Sequence, residues 1–395
     1  MPLVEIWKKT PDQLRGKSIQ QILAFAGDGR LKDGNATSAE FREYLAHIPS
    51  DELSRFANQC LDASFQDSGL ALQDIANQVG KRLGFASEDG RYRGSSALIG
   101  FDGLWHSKGG DTILVEVKTT DAYRLSLDTA ANYRKQLIRD GKITEERSSI
   151  LYIVGRTDTG DLEAQVRGSR FAWNIRLISV DALLRLLRIK EELEDQQTVD
   201  RIRAILTPQE YTRVDGIIDL VFKATEEVRT EAPPDEPDVE PTSGEKLPKF
   251  SPVTFRPACV ARLQGYLKET LVRQSAAIYA TPDGATAILS ATSREYAKGS
   301  RSGYWFAFHP SQKDALESYK RAWVSFGCGS EKDILVFPLR EFVKWLPRFH
   351  KTNLSDRYYW HIRIRHEGAK WELIVKKGEE RIDATRFLLD SQMVS

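Results

Sequence analysis

Apolar residues recur at helical spacing through the first eighty positions and shift to alternating or continuous runs beyond them. Lys17–Ala26 has its apolar positions at helical spacing and stops at Gly27-Asp-Gly29, which predicts a short helix and its breaker. Thr37-Ser38 ahead of Glu40 and Glu43 predict the cap of a helix over Glu40–His47, and Pro49-Ser50 start another over 51–66. Leu70, Leu72, Ile75, Val79 and Leu83 mark a further helix that ends at Gly84, with Asp67 as its expected N-cap. A hairpin follows over 99–120. Then come a helix over 130–140 closed by Gly141, an apolar strand over 149–154, a short helix over 162–168, a strand over 174–180 and a helix over 180–193. The unbroken apolar run Ile150–Val154 suits a buried central strand. Residues 198–224 suggest two helices split at Thr207-Pro208, a helical appendage or dimer surface. The order helix, hairpin, strand, helix, strand, helix predicts an α/β mixed sheet flanked by helices.

Residues 226–249 are rich in Pro, Glu and Asp and nearly free of hydrophobes, which predicts an extended acidic linker. Beyond it, 250–395 alternates strand-like runs with short helices and reads as a separate α+β domain. The expected division is therefore 1–64, a helical segment; 65–225, an α/β core with its appendage; 226–249, linker; and 250–395, the second domain. The second domain is aromatic-rich, with Tyr304-Trp305-Phe306 and Tyr358-Tyr359-Trp360-His361 near Arg363, Arg365, Lys376 and Lys377. Aromatic strands beside basic side chains suit base stacking, so this is a candidate recognition domain, although most of these rings are expected to build core.

At 395 residues the chain is too long for one typical domain. A net charge of +1 excludes bulk attraction to nucleic acid, so any such contact needs a local basic groove. Cys60, Cys259 and Cys328 lie far apart without metal-binding spacing, which excludes a zinc cluster and fits reduced thiols in a cytoplasmic protein. No apolar run approaches the length of a membrane span.

The densest chemistry lies in the hairpin. Glu116 and Lys118 share one face of its second strand, and Val115 and Val117 point to the other. A turn centred near Gly109 sets Asp102 opposite Glu116, and directly opposed residues have Cβ atoms about 4.5–5.5 Å apart. Two carboxylates that close repel unless a cation lies between them. An all-oxygen set favours Mg²⁺, with Mn²⁺ as a substitute, and places Lys118 beside it to orient water or offset charge on a phosphorane.

Asp102 followed by Glu116-Val117-Lys118 resembles the PD-(D/E)xK nuclease superfamily, over about residues 65–190. Phe101 stands where the pattern has Pro. The resemblance implies a restriction-endonuclease-like core and a Mg²⁺-dependent endonuclease hydrolysing DNA phosphodiesters, with a 5′-phosphate product and a role in restriction or phage defence. It implies Asp102 and Glu116 as metal ligands and Lys118 as the catalytic cation. Gln73 falls where many members have a helical Glu, with Asp74 as the acid beside it. Tyr133 and Gln136, three apart on the next helix, are the matching candidates for phosphate contact. Arg167 and Arg170 are further cations within reach of a backbone. A homodimer would bring two sites to one duplex. The rival readings are a nucleic-acid-binding module that cuts nothing, an RNA-directed nuclease, and a subunit inactive until assembled.

Overall fold

In the computed structural model, which describes residues 2–62, 65–92, 100–119, 124–155, 159–192, 200, 203–207, 255–298, 301–353, 358–376 and 378–389, the chain divides into two compact units, Met1–Phe222 and Lys223–Ser395. The first holds α1 (Pro2–Lys9), α2 (Ile19–Phe25), α3 (Ala36–His47), α4 (Ser50–Asp62) and α5 (Ser68–Leu83). Next come β1 (Ala86–Asp89), β2 (Gly103–His106), β3 (Thr112–Lys118), α6 (Leu127–Arg139), β4 (Ser148–Val154), α7 (Gly160–Arg167), β5 (Ile175–Ser179) and α8 (Val180–Glu192).

Ser18 caps α2 in a capping box with Gln21, and Asn35 caps α3 by accepting from the Ser38 N–H at 2.9 Å. The cap expected at Thr37-Ser38 is thus one turn inside the helix. Asp67 also departs from expectation. It precedes α5 at φ 72° and makes no side-chain cap. Its carboxylate instead accepts from Arg30 Nε at 3.1 Å and the Leu31 N–H at 3.2 Å. α5 ends as predicted at Gly84, in the left-handed region at φ 96°.

The sheet order is β1-β2-β3-β4-β5. β1, β2 and β3 pair antiparallel, and β3, β4 and β5 pair parallel, giving a mixed sheet in an α/β fold. α5 packs against α3, α4 and α8 as well as β1–β3. Nearly all of it is buried, and Ile75, Val79 and Leu83 are each at 1% exposure or less. Burial of each such side chain stabilises by roughly 1.5–3 kcal/mol. One apolar cluster joins Leu3, Phe41 and Phe56 of the N-terminal helices to Trp105, Val115 and Ile153 of the sheet. The boundary read at 64/65 therefore runs through a shared core. A second cluster, on the opposite face, joins Leu104, Leu114 and Tyr152 to α6 and α7.

The second unit holds α9 (Arg256–Leu267), β6 (Val272–Arg273), β7 (Ile278–Ala280), β8 (Thr286–Ser293), β9 (Tyr296–Lys298) and β10 (Arg301–Phe308). α10 (Pro310–Glu317), β11 (Arg321–Cys328), β12 (Ile334–Pro338), α11 (Leu339–Phe342), β13 (His350–Asn353), β14 (Tyr358–Glu367), β15 (Lys370–Ile374) and β16 (Ile382–Asp383) complete it. One sheet runs β12-β11-β8-β7-β6, the other β16-β15-β14-β10-β9 with β13 on β14. Inward residues of both, such as Phe306, Phe326, Phe337 and Ile362, form one aromatic core. The unit thus combines helices with two sheets around a core rich in aromatic side chains. α9 stops at Leu267, because Lys268 turns left-handed at φ 54° and frees Val272 for β6. The acidic segment 226–249 and nearly all of 198–224 lie outside the described residues.

Candidate active site

The hairpin register matches the turn arithmetic. Gly103 pairs with Val115 and Leu104 with Leu114, so Asp102 stands one step on, opposite Glu116. The pleat sends Ile113 and Val115 into the α5 side and Leu114 into the α6 side. Glu116 follows Leu114, and Asp102 follows Leu104, so both carboxylates face the α6 side.

Three elements fix Asp102. Its N–H donates to the Val115 carbonyl at 3.2 Å. Its carbonyl accepts from Asn77 Nδ2 at 2.8 Å, Gln73 Nε2 at 3.1 Å and the Gly90 N–H at 3.1 Å. Its carboxylate Oδ2 accepts from the Val117 N–H at 2.7 Å, between Glu116 and Lys118. Asn77 is itself anchored, its Oδ1 accepting from Trp105 Nε1 at 2.9 Å. This clamp needs small residues. A Cβ on Gly103 would sit 2.1 Å from Asn77 Oδ1, and one on Gly80 would strike the Trp105 ring at 2.5 Å.

Lys118 Nζ lies 3.0 Å from Glu116 Oε2 and 3.9 Å from Asp102 Oδ2. Glu116 is 7% exposed, and its other oxygen, Oε1, is buried with no hydrogen-bond partner among the described residues. Burial, then repulsion from Asp102, pushes the Glu116 carboxyl up to about 7, against the pull of Lys118. Burial also raises Asp102, opposed by Lys118 and the Val117 N–H. Burial alone would lower the Lys118 ammonium, but Glu116 and Asp102 outweigh it and hold it above its ordinary value.

Two buried carboxylates served by one ammonium are short of positive charge, and an orphaned buried oxygen costs about 1–3 kcal/mol or more when charged. The donor set is oxygen, which suits a hard cation. Among the described residues no group of three or more His, Cys, Asp or Glu is placed to hold a metal ion. Mg²⁺, however, is commonly held by one or two carboxylates and several waters. Asp102 and Glu116 are the residues that would hold it.

The remaining candidates fall in different places. Gln73 is turned to the main chain of Asp102, which makes it a positioning residue there. Asp74, its side chain fully buried, is bound to Arg42 Nε at 2.8 Å and the Tyr92 hydroxyl at 2.5 Å. Burial raises it to about 7, opposed mainly by Arg42. It serves the α3–α5 packing rather than the site. Tyr133 is half-buried on α6, and its hydroxyl is close enough to Lys118 to act on its charge. Gln136, one turn on, is half-buried on the same face. Arg167 pairs with Glu163 and Arg170 with Asp128, all exposed. A groove of about 690 Å³, lined by Ser126, Asp128, Gln165, Arg170 and Phe171, contains neither carboxylate.

Sequence reasoning missed Asn77 and Tyr152. Tyr152 sits beside Glu116 on β4 and donates to the Ser126 carbonyl at 3.1 Å. Asn77 had a signal: with Gln73 it makes an i, i+4 amide pair on one face of α5. No protein-family model matches the chain, and no curated protein matches it.

Proposed function

We propose that the first unit is a metal-dependent endonuclease with a restriction-endonuclease-like core that hydrolyses DNA phosphodiesters, serving restriction or phage defence. The observation that carries this reading is the orphaned Oε1 of Glu116 beside Asp102, with one ammonium between two raised acids. Bound Mg²⁺, or Mn²⁺ in its place, would supply a Lewis acid that makes water acidic and draws charge from the phosphate.

The chain's own residues supply the rest. Asp102 is held by its carbonyl, its N–H and one carboxylate oxygen, so little reorganisation accompanies reaction. Lys118 faces the growing negative charge on the phosphoryl oxygens as water adds in line and loses a proton to solvent, while the bridging P–O bond breaks and its electron pair leaves with the 3′ oxygen, which takes up a proton from solvent. We assign phosphate contact to Tyr133, whose hydroxyl adds to the forces that hold the Lys118 charge.

A second reading has its own observation. Lys118 already pairs with both acids, and a helical Gln stands where a third acid is expected, an arrangement compatible with a nucleic-acid-binding module that does not cut. The test incubates the protein with supercoiled and linear DNA, and with RNA, in Mg²⁺, Mn²⁺ or EDTA, alongside Glu116→Ala and Lys118→Ala. Metal-dependent DNA cleavage lost in both variants supports the proposal. Binding that survives EDTA with no cleavage of any substrate supports the module, and cleavage of RNA alone reassigns the substrate.

A further inference from the structure

The outward face of the β10–β14 pair carries aromatic side chains that the metal site does not use. Along β10 the pleat sends Tyr304, Phe306 and Phe308 into the core and Trp305 the other way. On β14, Ile362 and Ile364 point inward, and Tyr359, His361, Arg363 and Arg365 outward. Trp305 is half-buried and belongs to no apolar core cluster, whereas Tyr359 is buried at 8% exposure. They contact each other and their neighbours. The Trp305 ring stands edge-on to Tyr359 at 6.3 Å and 87°, and to His361 at 5.8 Å and 65°. His309 continues the row, 5.6 Å from Tyr359.

Hydrogen bonds set these rings. Trp305 Nε1 donates to His361 Nδ1 at 3.0 Å. Nδ1 must accept, so this arrangement assigns a neutral imidazole whose Nε2–H donates to Thr352 Oγ1 at 2.6 Å. The half-buried indole is thus held in a fixed orientation without core packing.

The charge beside it is basic. Arg363 pairs across from Trp305. Arg365 lies over Gly303, where a Cβ would come within 3.3 Å of its Cγ, and among the described residues it has no ion-pair partner. Glu372, opposite Arg365, is already bridged by Lys370 at 2.8 Å and Arg381 at 2.9 Å. An aromatic row beside Arg365 suits a strand whose bases are unpaired. Stacking needs a free base face, and a phosphate answers the guanidinium group. Duplex bases offer no such face.

We propose that this face binds single-stranded nucleic acid, with a base stacked on Trp305 and a neighbouring phosphate on Arg365. The proposal does not depend on the metal site. It is tested on the full chain in EDTA, which prevents metal-dependent cleavage, by fluorescence anisotropy with a short labelled oligodeoxythymidine and with a duplex of the same length. Trp305→Ala is expected to weaken single-strand binding roughly 5- to 150-fold, the range for one lost base stack. Arg365→Gln, which leaves the rings in place, is expected to reduce the salt slope by about 0.7 per phosphate lost. Ultraviolet cross-linking of the oligonucleotide is expected to map to residues 305–309 or 359–361. Unchanged affinity and salt slope in both variants, equal binding of the duplex, or cross-links confined to the first unit would each overturn the proposal. If Trp305→Ala lowers the melting midpoint, Arg365→Gln and the cross-link decide.

Discussion

The buried carboxylate pair sets stability against chemistry, and Glu116→Gln measures the conflict. Burial and Asp102 raise the Glu116 carboxyl from 4.5 to about 7. Between those pH values the folded state holds a proton that the unfolded chain has released. The folded state therefore binds more protons there, and stability falls as pH rises. The penalty is absent below about pH 4, grows through the window and is complete above pH 7. At 1.36 kcal/mol per pH unit, the shift corresponds to about 3 kcal/mol. Most of it develops between about pH 4.5 and pH 7. The amide introduced by the substitution does not ionise, and removing the Glu116 charge also relieves Asp102, so the variant should escape the penalty. Native-state hydrogen exchange of α5 and β3, corrected for intrinsic rates and recorded in EDTA, reads the opening free energy of this unit alone. The variant should gain about 2–3 kcal/mol on wild type between pH 5 and pH 8. A difference that stays constant with pH would refute the reasoning, since it would mean Glu116 titrates alike in both states. Excess Mg²⁺ at pH 8 should recover much of the lost stability in wild type and little in the variant, because only the native acids bind it.

Other perturbations probe the scaffold. Asn77→Ala strips a buried acceptor from Trp105 Nε1 and a donor from the Asp102 carbonyl, so urea unfolding should show a loss of about 2–4 kcal/mol. The same variant should weaken Mn²⁺ binding more than a core truncation of equal stability cost, since it frees the backbone that aims Asp102. Arg42→Met leaves Asp74 buried without its cation, and should cost about 3–5 kcal/mol at pH 8 by the same assay. Below pH 6, where Asp74 protonates, that loss should shrink; a loss that does not change with pH contradicts the assignment. Gly80→Ala should cost about 1–3 kcal/mol in thermal melts, because the Trp105 ring cannot retreat.

The central hairpin was legible because its determinants are local. Two glycines make the turn, the turn fixes the register, and the pleat then assigns every face from Asp102 to Lys118. β4 was legible because a strand between two strands is apolar on both faces. What sequence reading missed was non-local. Asp67 looks like a cap, but its carboxylate serves Arg30 and Leu31, more than thirty residues away. β1 reads Ala-Ser-Glu-Asp, and nothing in four mostly polar residues announces an edge strand. Asp74 and Gln73 are adjacent in the chain, yet one turns to Arg42 and the other to Asp102, a choice made by the packing of α3 and β2 around α5. The outward orientation of Trp305 was equally hidden, because an aromatic run of consecutive residues does not state which of them the sheet sends inward.

Mn²⁺ binding at pH 7.5, followed by electron paramagnetic resonance on the full chain, tests the shared-cation claim most directly. The account predicts one bound Mn²⁺ per chain, displaced by excess Mg²⁺ and lost in both Asp102→Asn and Glu116→Gln. Binding that survives both substitutions, or no binding in the wild-type protein, would contradict it.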